Sequence, residues 1–456
     1  VSGGGIWVPC NEQMEKLGCA DSFAEAKGYV ELLTEGEVEP RRLDAYLKRA
    51  TEMVHYMAER FSVRFKAISI YPDYFPHLPG GKPGYRTMEP EDFDAARLGE
   101  EFDKQREPYP GTLMMGRIAM NQVEAHAMLC RTRGWVLLFL KLALRYFMDF
   151  RWRRKSRRDR RQVLGQGMVA ALRYAMLREG VPLWLNTGLE ELISEDGRVV
   201  GARVQRDGKT LHIRARRGVI LACGGFESNQ AMREQYLPAP TDKSWSIAPG
   251  INLGDGIQAG QALGAGTRFM DLTWGTPSVV VPGAGWASGL FVERAFPHGI
   301  MVNGKGQRFC NEAGPYTEVV YSIYRDHQKT GCSVPCWFIC DADYRKKYPF
   351  GPIMPPALQP DSKIPAEWEG QVYFKADSLA EMADRLGIDA AGLQATVDRY
   401  NSQCVSGKDE DFGKGENCFD TYYGDHTVKP NPCMGPLAKP PFYALKVLPG
   451  ELGTKG

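Results

Sequence analysis

Apolar positions recur at helical spacing over 163–180, and the run Val181-Pro-Leu-Trp-Leu185 that follows reads as a strand. Leu189 to Val204 reads as an antiparallel meander that turns at Asp196-Gly197 and Asp207-Gly208. Val219-Ile-Leu-Ala222 is a continuous apolar run, the pattern of a fully buried strand, and it ends in Gly224-Gly225 before a polar helix start. Two glycines there remove the Cβ atoms that would keep a ligand from the backbone. Such a strand end is a place for a nucleotide.

Away from this region, residues 21–66 read as amphipathic helix. Residues 67–112 form a Pro- and Gly-rich stretch, with Tyr71-Pro-Asp-Tyr-Phe-Pro-His-Leu-Pro-Gly-Gly81 at its heart, that cannot sustain helix or central strand. From about 274 to 436 the chain changes to short strands, aromatics and Pro-rich turns, with helices predicted at Ser378–Leu386 and Asp389–Asn401. The predicted division is therefore 1–273 (with a helical region, 21–160), an inserted α+β domain over 274–436, and a return to the first domain over 437–456.

The apolar run Trp135 to Phe150 is shorter than the ~20 residues a spanning helix needs, and it carries Lys141, Arg145 and Asp149 four apart, which a helix gathers into one polar stripe. Beyond it lies Arg151-Trp-Arg-Arg-Lys-Ser-Arg-Arg-Asp-Arg-Arg161. A broad apolar face beside a basic cluster with Trp152 suits peripheral docking of 135–161 at an anionic membrane surface; a core-packing helix followed by a solvated charged turn is the alternative. A net charge of +2 and no interleaved stacking aromatics argue against nucleic acid. With 456 residues and 43% apolar composition the chain buries at least one large core. Eleven cysteines without paired spacing fit a reducing compartment, and a cytoplasmic location is expected.

A helix, a strand, a meander and a returning Gly-ended strand make up the second half of a two-dinucleotide-binding module. The first half should carry Gly-x-Gly-x-x-Gly after a strand, and no such element is present. Gly165-Gln-Gly167-Met-Val-Ala170 follows arginines, and Gly254-Asp-Gly256-Ile-Gln-Ala259 follows a loop.

Several segments in order carry a more specific message: Ser2-Gly-Gly-Gly-Ile-Trp-Val-Pro9, the Gly-Gly-Phe strand end, Gly254-Asp-Gly256, Asn303-Gly-Lys-Gly-Gln-Arg-Phe-Cys-Asn-Glu-Ala-Gly-Pro-Tyr316, Tyr422-Tyr-Gly-Asp425 and Pro449-Gly-Glu-Leu-Gly-Thr-Lys-Gly456. Their sequence and spacing resemble the 3-ketosteroid Δ1-dehydrogenases, with fumarate reductase and succinate dehydrogenase flavoproteins as more distant relatives. The resemblance implies an α/β fold, a Rossmann-like FAD-binding domain with an inserted catalytic or cap domain, in a chain shortened at both ends relative to the family. It implies FAD as cofactor, a ketosteroid substrate and a quinone-like electron acceptor.

By the same resemblance, Ser2, Gly3, Gly4 and Gly5 wrap the flavin, Leu189 reads adenine, Ala222, Cys223 and Gly224 lie over the pyrophosphate, and Asp255 and Gly256 sit beneath the flavin. Fumarate reductases place an arginine where this chain has Tyr316, and the succinate dehydrogenase pattern places one at Ala313, so a cationic proton donor is missing in either register. The resemblance makes Tyr316 the base that takes the C2 proton while a hydride leaves C1 for flavin N5. It puts a supporting tyrosine in the loop offering Tyr71, Tyr74 and Tyr85, with Tyr74 favoured and Tyr71 next. A phenolate, with a reference pKa near ~10, is scarce at neutral pH unless neighbouring donors favour it. The competing readings are a packed helix-start aromatic at Tyr316, a loop anchor at Tyr74, and tight-turn geometry at the glycines.

His298 reads as structural or exposed, for want of a paired carboxylate. Cys332, Cys336 and Cys340 read as buried strand residues, Asp341, Asp343 and Asp409-Glu-Asp411 as turn-solvating residues, and no metal site is expected. The alternatives for the whole chain are an enoate or fumarate reductase and a non-catalytic, membrane-binding fragment.

Overall fold

Both Asp-Gly pairs turn as their chemistry requires in the computed structural model, which describes residues 3–456: Asp196 and Asp207 take φ 49°, Gly197 φ 73° and Gly208 φ 76°. Left-handed angles at both central positions match the twist of the strands they join. The strands Thr187–Glu195, Arg198–Arg206 and Lys209–Arg214 accordingly form a three-stranded antiparallel sheet. The chain divides into two compact units, one of residues up to Pro182 with Gly415–Cys433, the other Leu183–Lys414 with Met434–Gly456.

In the second unit the strand Phe442–Thr454 is the spine of a six-stranded sheet. Its first half pairs with Cys336–Cys340 and Tyr373–Ala376, and its second half with Thr273–Val280, so that Thr454 stands opposite Thr273 after a β-bulge. Helices Leu379–Leu386 and Ala390–Ser406 lay Met382, Leu393, Val397 and Tyr400 against Ile300, Val302, Ile339 and Phe442 on this sheet. Ser378 and Asp389 cap them, as predicted. The second helix runs past Asn401 because its stop signal is Gly407, in the left-handed region. Cys336 and Cys340 are fully buried strand residues, as expected, whereas Cys332 lies outside the strand.

Two predicted strands do not form. Val219–Ala222 and Val181–Leu185 pair with no neighbour among the described residues. Ile220 is 93% exposed, and Val181, Leu183, Trp184 and Leu185 are exposed as well. A strand exists only through its ladder, and apolar composition does not supply the partner.

In the first unit the predicted helical region resolves into Phe23–Thr34, capped by Ser22, and Pro40–Phe61, ended by Ser62 in the left-handed region. Its last residues join a sheet in which Thr87–Pro90 lies between Ile6–Trp7 and Phe65–Ala67. The exclusion of central strand thus holds for 71–86 but fails at Thr87–Pro90, beyond the clustered prolines. Helix Leu164–Arg178 forms as predicted and packs Ala175 on Val8, Val63, Phe65 and Met88.

The helix Trp135–Met148 fits the core-packing reading on one side and departs from it on the other. Arg145 turns inward to pair with buried Asp159 at 2.7 Å, beside buried Leu142 and Tyr146. Leu137, Leu140, Leu144, Phe147, Met148 and Phe150 are all more than half exposed. Lys141 is exposed, and Leu138, Phe139, Leu142, Ala143 and Tyr146 pack with Met114 and Ile118, so the helix carries apolar residues both inward and outward. Trp152 is no part of the outward face: it packs on Phe102 and donates to the Arg158 carbonyl.

Candidate active site

Tyr316 is the first residue of the helix Tyr316–Thr330, entered through Pro315, which a helix tolerates at its start because no N–H is needed there. The chain leading to it is held from two sides. Arg294, fully buried, donates to the carbonyls of Leu290, Phe291, Glu312 and Gly314. Glu312, also fully buried, accepts from the Met301 N–H and is gripped by Arg308, which grips Asp409 with its other edge at 2.8 Å. Burial alone would raise the Glu312 carboxyl, but Arg308 and Lys414 hold it below its ordinary range. At Glu293 burial outweighs the nearby Arg294 and pushes the carboxyl up to about 7.

The Tyr316 phenol meets Trp274 of the strand Thr273–Val280, whose indole N–H donates to the phenol oxygen at 3.0 Å. Phe291 presents its ring edge-on to Tyr316, with 5.5 Å between centroids. The Lys455 ammonium lies 5.1 Å from the Trp274 ring centre, placed by its own N–H on the Leu272 carbonyl at 2.9 Å. Trp274, Phe291, Arg294 and Lys455 escaped the sequence reading, because their relation to Tyr316 is set by strand order and not by local spacing.

The cofactor candidates of this unit fall into one neighbourhood. Gly224 takes φ 83°, where a Cβ would press on the Asn252 side chain at 2.9 Å, and a Cβ on Gly225 would strike Thr454 Oγ1 at 2.0 Å. A Cβ on Gly256 would meet Cys223 at 3.3 Å, so helix Asp255–Gln261 packs directly on the Ala222-Cys223-Gly224 segment. Part of the demand for glycine is thus the chain's own close packing. Ala222, Cys223 and Asp255 are exposed and Leu189 is half-buried. Glu227, 1% exposed, has one carboxylate oxygen without a hydrogen-bond partner, near Gly225 and Gly453. A buried acceptor in want of a donor beside a glycine cradle fits the hydroxyl-rich chain of a flavin nucleotide.

The other candidates stand in the first unit. Ser2 lies outside the described residues. Gly4, at φ 70°, leaves only 2.5 Å between a would-be Cβ and the Gly165 nitrogen, which gives Gly165-Gln-Gly167 a packing role at the start of its helix. Gly3 has open space where a Cβ would be, and Gly5 makes ordinary contact with Thr87. Tyr74 packs edge-on against Phe419 and Tyr71 against Tyr422, each with centroids 5.2 Å apart. Their loop is pinned by Asp73, which accepts from Trp7, Arg86 and the Lys82 N–H, while buried Arg86 also pairs with Asp21. Tyr85 serves as a left-handed turn residue at φ 72°.

Two bland readings change. His298 does have carboxylates nearby: one ligand atom each from His298, Asp341 and Asp343 lie within 4.8 Å. Yet Asp341 is already filled by the N–H groups of Asp343, Tyr344, Ala438 and Lys439, Asp343 pairs with Lys439 at 2.7 Å, and the His298 ring is engaged with the Pro436 carbonyl. Asp341 and Asp409 are buried, and neither solvates a turn.

The FAD binding domain family matches residues 1–456. The 3-oxosteroid 1-dehydrogenase of Mycolicibacterium smegmatis is 39% identical over 467 residues, covering 100% of this chain and 80% of that protein. The chain belongs to the 3-oxosteroid 1-dehydrogenase family. A crystal structure of 3-ketosteroid delta1-dehydrogenase from Sterolibacterium denitrificans, in complex with 1,4-androstadiene-3,17-dione, superposes with a TM-score of 0.97 at 50% identity, covering 100% of this chain and 81% of that one. As a member of the 3-oxosteroid 1-dehydrogenase family the chain is an FAD-dependent oxidoreductase with the expected flavoprotein fold. A probable fumarate reductase, Ifc3 of Shewanella frigidimarina, is only 25% identical over 64% of this chain and 43% of that protein. Among the described residues, no helix is long and apolar enough to cross a membrane.

Proposed function

We propose that this chain dehydrogenates a 3-ketosteroid between C1 and C2, with Tyr316 as the base. The observation that carries the reading is a phenol at the start of a helix, accepting an indole N–H at 3.0 Å and edged by an aromatic ring, where a fumarate-reducing site needs an arginine. The chemistry that FAD brings when bound is two-electron acceptance as a hydride. Tyr316 takes the C2 proton, and its oxygen must carry negative charge to do so; the Trp274 N–H that it accepts favours that charge. Phe291 keeps the phenol in an apolar setting suited to a flat hydrocarbon. Gly224, Cys223, Ala222 and Leu189, with Asp255 and Gly256, are the cofactor residues we propose in this unit; Gly3–Gly5, Tyr74 and Tyr71 keep the roles the resemblance implies, within a catalytic segment of 274–436.

The test is turnover of a 3-ketosteroid with a phenazine dye as acceptor, set against fumarate reduction by reduced dye, on chain first titrated with FAD. Formation of the 1,2-desaturated ketone with stoichiometric flavin is expected. Fumarate turnover without steroid turnover overturns the reading.

We propose further that the outward apolar face of Trp135–Met148 and the exposed Arg151, Arg154, Lys155 and Arg157 bind an anionic membrane surface, from which a lipid-borne steroid and a quinone-like acceptor are drawn. Leucine-to-glutamate changes at Leu140 and Leu144 are expected to abolish co-sedimentation with phosphatidylserine-containing vesicles and leave turnover of dispersed steroid intact. Equal sedimentation of both proteins contradicts the docking.

A further inference from the structure

We propose that Trp274 is a positioning residue that favours the anionic form of Tyr316, and that Lys455 strengthens it. The inference rests on Tyr316 being the base. An indole nitrogen can only donate, so the contact at 3.0 Å has one polarity: the phenol oxygen accepts. That bond strengthens when the phenol loses its proton, because the acceptor becomes charged, and it therefore stabilises the anion more than the neutral phenol. The Lys455 ammonium over the indole face, 5.1 Å from its centre, draws density from the ring and makes the N–H a better donor.

The arrangement is fixed by the fold. Trp274 follows Thr273, which faces Thr454 across the ladder, so Lys455 and Trp274 are brought together by register. Half of the Trp274 surface is open, so its placement is not explained by burial of the ring.

Other charges face the same phenol. Arg294 is within electrostatic reach of it and adds positive potential, offset by Glu293 and by Glu312, which is itself neutralised by Arg308 and Lys414; Cys310 also acts on Arg294, and Glu318 on the same helix acts on Lys455. Changing Trp274 or Lys455 leaves this buried set in place, so a change in pH response reports the relay.

The experiment is the pH profile of kcat/KM for steroid oxidation on FAD-loaded protein. Trp274→Phe keeps an aromatic ring and removes the N–H. It is expected to move the acid limb upward by about one pH unit, which means a roughly tenfold loss on that limb with recovery at alkaline pH. Lys455→Met is expected to give a smaller shift of the same sign. A uniform loss at all pH values, or an unmoved limb, overturns the inference. Tyr316→Phe separates the two levels: if it is inactive while the Trp274→Phe limb stays put, the relay fails and the base assignment stands, whereas an active Tyr316→Phe removes the base assignment itself. Should Trp274→Phe not retain FAD, Lys455→Met decides, since it leaves the indole in place: a shift supports the relay and none overturns it.

Discussion

Tyr316→Phe is expected to lower kcat for steroid oxidation by about 10²–10⁴-fold, the range that removal of a positioned base covers. The substitution deletes one oxygen and nothing else. The ring stays edge-on to Phe291, Pro315 still starts the helix, and the chain ahead of it remains held by Arg294 and Glu312. Trp274 loses its acceptor but is 46% exposed, so water takes over and the cost to stability is small. FAD stoichiometry and the melting midpoint should therefore match the parent protein, confining the defect to chemistry. Rapid mixing with steroid under anaerobic conditions provides the check: flavin reduction by substrate should nearly vanish while reduction by dithionite is unaffected. Flavin reduction at the parent rate would show that the C2 proton leaves by another route.

What the sequence could reveal divides along a physical line. Local chemistry was legible: Asp-Gly pairs set both meander turns, Ser378 and Asp389 start their helices, and the polar stripe at four-residue spacing marked Trp135–Met148 as amphipathic. The order of motifs marked the family and, with it, Tyr316. Relations made by topology were not legible. Val219–Ala222 has the composition of a buried strand, yet a ladder needs a neighbour and none of the described residues provides one. Trp274 and Lys455 reach Tyr316 only because the strand Phe442–Thr454 lies beside Thr273–Val280. Arg86 and Asp73, 13 positions apart, form a buried ion pair across the loop between them, which no local spacing announces. The direction of an amphipathic helix was equally hidden: Trp135–Met148 is apolar around most of its surface, and only the structure turns Leu142 and Tyr146 inward beside the Arg145–Asp159 pair and leaves Leu137 and Leu144 exposed.

Arg308→Met is expected to destabilise the protein by about 3–5 kcal/mol at neutral pH, the cost of leaving buried charge without its partner. Arg308, only 4% exposed, holds both Glu312 and Asp409 by two hydrogen bonds each. Methionine fills much of the volume but leaves two buried carboxylates facing the single ammonium of Lys414. The pH dependence gives the argument its sign. In the parent protein burial pushes both carboxyls up, but Arg308 outweighs it and holds both below their ordinary values, so the stabilisation is full above the unfolded values near ~4 and is lost as the pH falls through the folded ones. Without Arg308 the burial effect wins, the folded carboxyls bind protons more readily than the unfolded ones, and acidification relieves the strain of buried charge. The deficit measured by urea unfolding should therefore be widest near pH 8 and narrow toward pH 5. The double change Arg308→Met with Asp409→Asn, which removes one orphaned charge along with the cation, should recover part of the loss at pH 8 and flatten its pH dependence. A deficit that stays constant across this range would mean that lost packing, and not uncompensated charge, is what Arg308 prevents.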